Sequence, residues 1–113
     1  MMNKQKHLTY LVDLIARNYS ESKKLRGITA YWRETDNTAC LSFYFDGLIL
    51  DEDLEDAYDI GAGIISNFPN GLLEESYIRW DYPKPLPDKF LAYKKREIAN
   101  PGIPNQKYNR KCL

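Results

Sequence analysis

Phe45-Asp46-Gly47-Leu48-Ile49-Leu50, followed by Asp51-Glu52-Asp53-Leu54-Glu55-Asp56-Ala57-Tyr58-Asp59 and closing on Ile64-Ile65-Ser66-Asn67-Phe68, is where one backbone period gives way to another. Up to Phe45 the apolar residues alternate as in a strand, and Asp46-Gly47 is a turn pair that ends it. Leu48-Ile49-Leu50 then leads into a helical pattern. Leu54, Tyr58, Gly61, Ile65 and Phe68 recur at helical spacing and form an apolar stripe, which leaves Glu52, Glu55, Asp56 and Asp59 on the wet side. Asp51 is placed to cap the start, and the carboxylates just after it meet the positive end of the helix dipole. Asp56 and Asp59 lie beyond the first turn, where the dipole gives them no support.

Working back from this helix, Leu41, Phe43 and Phe45 alternate with polar positions, and Ile28, Ala30 and Trp32 do the same before Thr35-Asp36-Asn37-Thr38. A hairpin is expected. With Asp36-Asn37 as a two-residue loop, Trp32 faces Leu41, Ala30 faces Phe43 and Ile28 faces Phe45, so the large apolar residues share one face. Thr29, Tyr31 and Arg33 against Tyr44, Ser42 and Cys40 make the other. Earlier still, Leu8, Leu11, Val12, Ile15 and Tyr19 predict a first amphipathic helix from about Lys4 to Tyr19.

Working forward, Pro69-Asn70-Gly71 ends the acidic helix. Ile78, Trp80 and Tyr82 then alternate with Tyr77, Arg79 and Asp81 as a strand, and Pro83-Lys84-Pro85-Leu86-Pro87 is an extended connector that cannot pair. Phe90-Leu91-Ala92-Tyr93 is one more short strand. The expectation is an α+β domain over residues 1–98 in the order α-β-β-α-β-β, with an antiparallel sheet of about four strands covered on one face by two helices. Residues 99–113, with Pro101, Gly102 and Pro104 and no apolar period, read as a basic tail.

The 113-residue chain has no net charge, but the charge is segregated. Residues 1–33 hold seven Lys or Arg against Asp13 and Glu21, and residues 79–113 hold nine against Asp81, Asp88 and Glu97. Between Glu34 and Ile78 there are eleven acids and no Lys or Arg. Clustered charge of this kind steers partners and says little about fold.

Chemistry of other kinds finds little footing. His7 is the only histidine, so no Ser/His/Asp set can be built, and it reads as a surface or partly packed imidazole. Cys40 and Cys112 have neither metal-ligand nor disulfide-scaffold spacing, so a reduced, metal-free protein is expected. Gly61-Ala62-Gly63 lies inside a helix and not between a strand and a helix start, which excludes a phosphate loop. Asp51-x-Asp53-x-Glu55 opens like a calcium loop, but the sixth and twelfth positions are Asp56 and Ala62 where glycine and glutamate are needed. No segment has the length and apolarity of a membrane span or a signal peptide, so the expected compartment is the cytoplasm. Two rival readings stand beside the one developed next. The first is a nucleic-acid-binding adaptor working through Lys94, Lys95, Arg96 and the tail. The second is an enzyme built on the Glu52 and Asp56 carboxylates, one turn apart.

Phe43-Tyr44-Phe45-Asp46-Gly47, the acidic run Asp51 to Ala57, Ile65-Ser66-Asn67-Phe68-Pro69 and the run Tyr77 to Pro87 together resemble small bacterial immunity proteins, the antidotes to colicins, bacteriocins and contact-dependent growth inhibition toxins. The resemblance covers roughly Gly27 to Lys95. It implies a non-enzymatic cytoplasmic protein that binds a cognate toxin domain; no cofactor, no metal, no direct contact to nucleic acid and no membrane are expected, and a homo-oligomer is possible but not predicted. Many such toxins are nucleases with basic clefts, for which an acidic surface is a natural plug. The expected toxin-binding residues are Glu52, Glu55, Asp56 and Asp59, extended by Glu74 and Glu75. Tyr44 and Tyr77 are further contacts on the polar strand faces, and Tyr58 is assigned to packing.

Overall fold

The computed structural model describes residues 3–19 and 23–96. Helix α1 spans Lys4–Tyr19 and is followed by strands β1 (Leu25–Arg33) and β2 (Thr38–Phe45). Helix α2 (Asp51–Ile65) and strands β3 (Leu72–Arg79) and β4 (Leu91–Lys94) complete the expected α-β-β-α-β-β order. The four strands form one sheet in the order β3-β2-β1-β4, and the helices lie side by side on one of its faces.

α1 starts where Asn3 Oδ1 accepts the Lys6 N–H at 2.8 Å, a side-chain cap. It buries Leu8, Leu11, Val12 and Ala16 against the sheet. From the sheet come Ile28, Ala30 and Trp32 of β1 and Ala39, Leu41, Phe43 and Phe45 of β2, and from α2 come Ala57, Ile60 and Ile64. Each large side chain fully buried here contributes about 1.5–3 kcal/mol relative to exposure. β4 is too short to pair with all of β1, and the gap is filled by Gln5 of α1. Its Nε2 donates to Ala30 O at 3.0 Å and its Oε1 accepts from Trp32 N at 2.7 Å, completing two strand hydrogen bonds that would otherwise be lost.

Three details differ from the sequence expectation. The hairpin keeps the expected faces but pairs Ile28 with Phe43, Ala30 with Leu41 and Trp32 with Ala39, two residues off the expected register. The loop is Glu34 to Asn37, closed by Arg33 opposite Thr38, with Asn37 in the left-handed region at φ 53° and both Asp36 carboxylate oxygens taken by the Arg33 guanidinium at 2.9 Å. The sheet is mixed and not wholly antiparallel. α2 carries the chain back to the beginning of β2, so Leu72 lies beside Thr38 and β3 runs parallel to β2. Finally, β3 begins at Leu72 and ends at Arg79, because Leu73, Glu75 and Tyr77 continue the helix-facing row of the sheet.

The connector between β3 and β4 folds over the helix-free face. Buried Arg26 donates to the carbonyls of Trp80 and Lys84, each at 2.8 Å, and Lys84 Nζ sits 3.8 Å above the Trp80 ring. Leu86 lies against Gly27, where an added Cβ would meet Leu86 Cδ1 at 2.8 Å and the Tyr93 carbonyl at 2.9 Å. Only glycine permits that approach. Residues 99–113, read as a basic tail, lie outside the described residues.

Candidate functional site

α2 turns its residues differently from the stripe drawn through Leu54, Tyr58 and Ile65. The buried set is Asp53, Ala57, Ile60, Gly61 and Ile64, rotated by about one position. Tyr58 is therefore 51% exposed and does not belong to the packed core, and Leu54 and Ile65 are only partly covered. Small Ala57 and Gly61 let the helix approach the sheet closely, and a buried carboxylate takes the place that an apolar residue would normally hold at position 53. Asp53 accepts the Leu50 N–H at 2.8 Å and pairs with Lys24 Nζ at 2.7 Å. It thus serves as the N-terminal cap from inside the first turn, while Asp51 is an exposed first-turn residue.

The outward face of α2 carries Asp51, Glu52, Glu55, Tyr58 and Asp59, all exposed. Among the described residues none of these four carboxylates is in a salt bridge. Cations from the flanking basic blocks pair with other acids: Arg33 with Asp36 and Glu74, Lys24 with Asp53, and Arg79 with Asp81. The Asp36 and Asp81 carboxyls are held below the ordinary carboxylate range by the hydrogen bonds from Arg33 and Arg79 respectively. What remains is a helical face of uncompensated negative charge with the exposed Tyr58 ring along one edge, bordered at its N-terminal end by exposed Leu48 and Leu50. Asp56 is half-buried and already partnered.

The other expected site residues are not gathered on this face. Glu74 and Glu75 are neighbours in β3, so they point to opposite sides of the sheet. Glu74 lies on the helix-free side, 3.0 Å from the Arg33 guanidinium. Glu75 is tucked beneath α2 at Gly61, where an added Cβ would fall 1.8 Å from Glu75 Oε2. Tyr77 is on the helix-covered side and not on the polar face. It stacks on Phe43 with ring centroids 5.8 Å apart and meets Tyr58 edge-on at 5.8 Å. Tyr44 does lie on the helix-free side, but the Trp80 ring covers it at 5.4 Å and leaves it 7% exposed.

Glu75 is chemically unusual. Its Oε1 accepts a short hydrogen bond from the Tyr77 hydroxyl, while Oε2 is buried with no hydrogen-bond partner among the described residues. Burial pushes its carboxyl above the ordinary range, opposed by the Tyr77 bond, and burial also raises the Tyr77 hydroxyl. A raised carboxyl means that the fold favours the protonated form. Its contribution to stability is therefore fully present below the ordinary glutamate value and is lost as pH rises through the raised one. Glu75→Gln, which mimics the protonated state, is expected to be more stable than wild type at pH 7, with the difference vanishing toward pH 4. Urea midpoints of both proteins across that range measure it.

The site is thus an exposed anionic helix face on an α+β scaffold. Residues 22–97 match the MafI2 immunity protein family, and the chain belongs to that family; it is a small toxin-immunity protein. No curated protein matches it. Among the described residues no helix is long and apolar enough to cross a membrane. Sequence reasoning missed Tyr58, Leu48 and Leu50 as exposed groups. The signal that could have found Tyr58 is the second stripe, Ala57, Ile60, Gly61 and Ile64, at i, i+3, i+4 and i+7.

Proposed function

We propose that this protein neutralises its cognate toxin by laying the outer face of α2 across a basic active or substrate-binding surface, most simply that of a nuclease. The observation that carries the reading is that, among the described residues, no cation pairs with Asp51, Glu52, Glu55 or Asp59 beside exposed Tyr58, whereas Asp13, Asp36, Asp53, Glu74 and Asp81 each hold one. Charge of one sign on a rigid helix accelerates encounter with the opposite sign, and an exposed aromatic ring at its edge is the type of anchor that dominates affinity. Asp56, Glu74 and Glu75 act through the fold and the surrounding field in this reading, and Tyr44 and Tyr77 act by packing. Inhibition is by occlusion, takes place in the cytoplasm, and involves no catalytic step.

The test is to express the C-terminal domain of the toxin-type reading frame adjacent to this gene, with and without this protein. Restored growth together with a stable purified complex is the expected result. Persistent toxicity with no complex would overturn the reading. The nucleic-acid alternative instead predicts steeply salt-dependent RNA or DNA binding by the protein alone. Lys95, one of its proposed contacts, already donates its ammonium to the Lys23 carbonyl.

A further inference from the structure

A second feature lies at the opposite end of α2, about 20 Å along the helix from its acidic start at 1.5 Å per residue. The start of α1, the end of β1, the hairpin loop and the exit of α2 enclose a cleft of about 180 Å³. Its working residues are Lys4, His7, Trp32, Asn37, Asn67 and Phe68. Three rings form one wall: His7 lies against Phe68 and Phe68 stacks on Trp32, both with centroids 5.0 Å apart. Lys4 Nζ stands 5.3 Å from the Trp32 ring centroid, with a single long hydrogen bond of 3.4 Å to Asn37 Oδ1.

The polar character of this cleft is one-sided. An ammonium carries three donors, and among the described residues only one of those of Lys4 is engaged. The first turn of α1 contains no acid, so the positive end of its dipole is uncompensated at this cleft. Among the described residues no carboxylate lines the space. The Trp32 indole N–H, in the ring that forms part of the wall, is buried and has no acceptor among the described residues. Lys4 and His7 lie outside the 22–97 family match, so this cleft is completed by the first helix of this chain.

We infer that this cleft is a carboxylate-binding site, sized for the acid group of an aspartate or glutamate side chain or of a small free dicarboxylate. Lys4 supplies the charge-assisted hydrogen bond and the aromatic wall packs the aliphatic stem. A phosphate, which asks for more donors and brings no stem, fits this chemistry less well. The inference does not depend on the toxin reading, since none of the acidic residues of α2 contributes to it.

The experiment is a titration of the full ¹⁵N-labelled chain, following the two indole N–H resonances, with Trp80→Phe used to assign them. Acetyl-Gly-Glu-Gly-amide represents a side-chain source and glutarate a free one. Either should give a saturable shift of Trp32 with Trp80 unmoved. Tighter binding of the peptide would assign the site to a protein partner, and tighter binding of glutarate to a small acid. Lys4→Met should weaken binding about tenfold, the loss of one charge-assisted bond, while Lys6→Met, on the exposed side of α1, leaves it unchanged. Equal shifts with the corresponding Gln peptide, equal binding of inorganic phosphate, no saturable shift, or an unaffected Lys4→Met protein would each overturn the proposal.

Discussion

Replacing Glu52, Glu55 and Asp59 together by lysine is expected to slow association with the toxin by about 100- to 1,000-fold at low ionic strength, the full range that electrostatic steering supplies. The three positions are exposed and, among the described residues, in no salt bridge, so the fold should survive with only the small cost of a lysine in the first turn of α2, and the loss should appear in the on-rate. Salt separates this from misfolding. The wild-type on-rate should fall as salt rises, and that of the variant should rise or stay flat. Tyr58→Ala is the complementary change. With the ring removed from the edge of the face, charge still steers the encounter, and the off-rate should increase by about 30-fold, the equivalent of roughly 2 kcal/mol for an aromatic anchor. Stopped-flow or surface-plasmon measurements at two salt concentrations resolve both effects. An unchanged on-rate for the triple variant would remove α2 from the interface.

Asp53→Ala should cost about 2–4 kcal/mol of folding stability, far more than any other substitution among the acids of α2. The Asp53 side chain is 4% exposed, whereas that of Lys24 is 33% exposed. Solvent therefore screens the cation, and the figure lies at or below that for breaking a fully buried pair. The second loss is the bond from the Leu50 N–H, one of the unpaired donors that every helix start must satisfy. Asp53→Asn keeps an acceptor for Leu50 and should fall between alanine and wild type. Asp51→Ala, exposed and without a capping bond, should lie within about 0.5 kcal/mol of wild type. Denaturant midpoints of the three variants give the ranking. A larger cost at Asp51 than at Asp53 would mean that the cap has been assigned to the wrong residue.

These two acids illustrate what could be read in the sequence. The period of two through Ile28 to Phe45 and the helical period after Asp51 determined element type and order, because each reflects burial of one face. They could not determine the hairpin register, since a shift of two residues returns every side chain to the same face. The choice rested on loop chemistry, and the bidentate Arg33–Asp36 pairing around a left-handed Asn37 selects the four-residue loop. The buried face of α2 follows fit and not side-chain size. Leu54 and Tyr58 appear more hydrophobic than Ala57 and Gly61, yet close packing on the sheet favours the small residues. A buried Asp53 has no counterpart in a hydropathy pattern; its partner Lys24 is 29 positions away.

The candidate site divides in the same way. The exposure of Glu52, Glu55 and Asp59 could be read directly, because the outer face of an amphipathic helix is a local property. Glu74 and Glu75 depended on where β3 starts, and once Leu73 and Glu75 take the helix-facing row their alternation separates them. Tyr44 was placed on the right face, but Trp80, a residue from far along the chain, covers it. Charge segregation was visible in the sequence. Which acids the flanking cations would neutralise depended on the fold.

The most direct test of the acidic-face account is carboxyl footprinting of the free protein and of the purified toxin complex, read residue by residue by mass spectrometry. The account predicts that Glu52, Glu55 and Asp59 lose at least about tenfold in labelling rate on binding, the behaviour of groups at a water-excluding interface, while Glu74 on the opposite side of the sheet keeps its free-state rate. Unchanged labelling of Glu52, Glu55 and Asp59 in a complex that still inhibits the toxin would contradict it and place the interface elsewhere on the molecule.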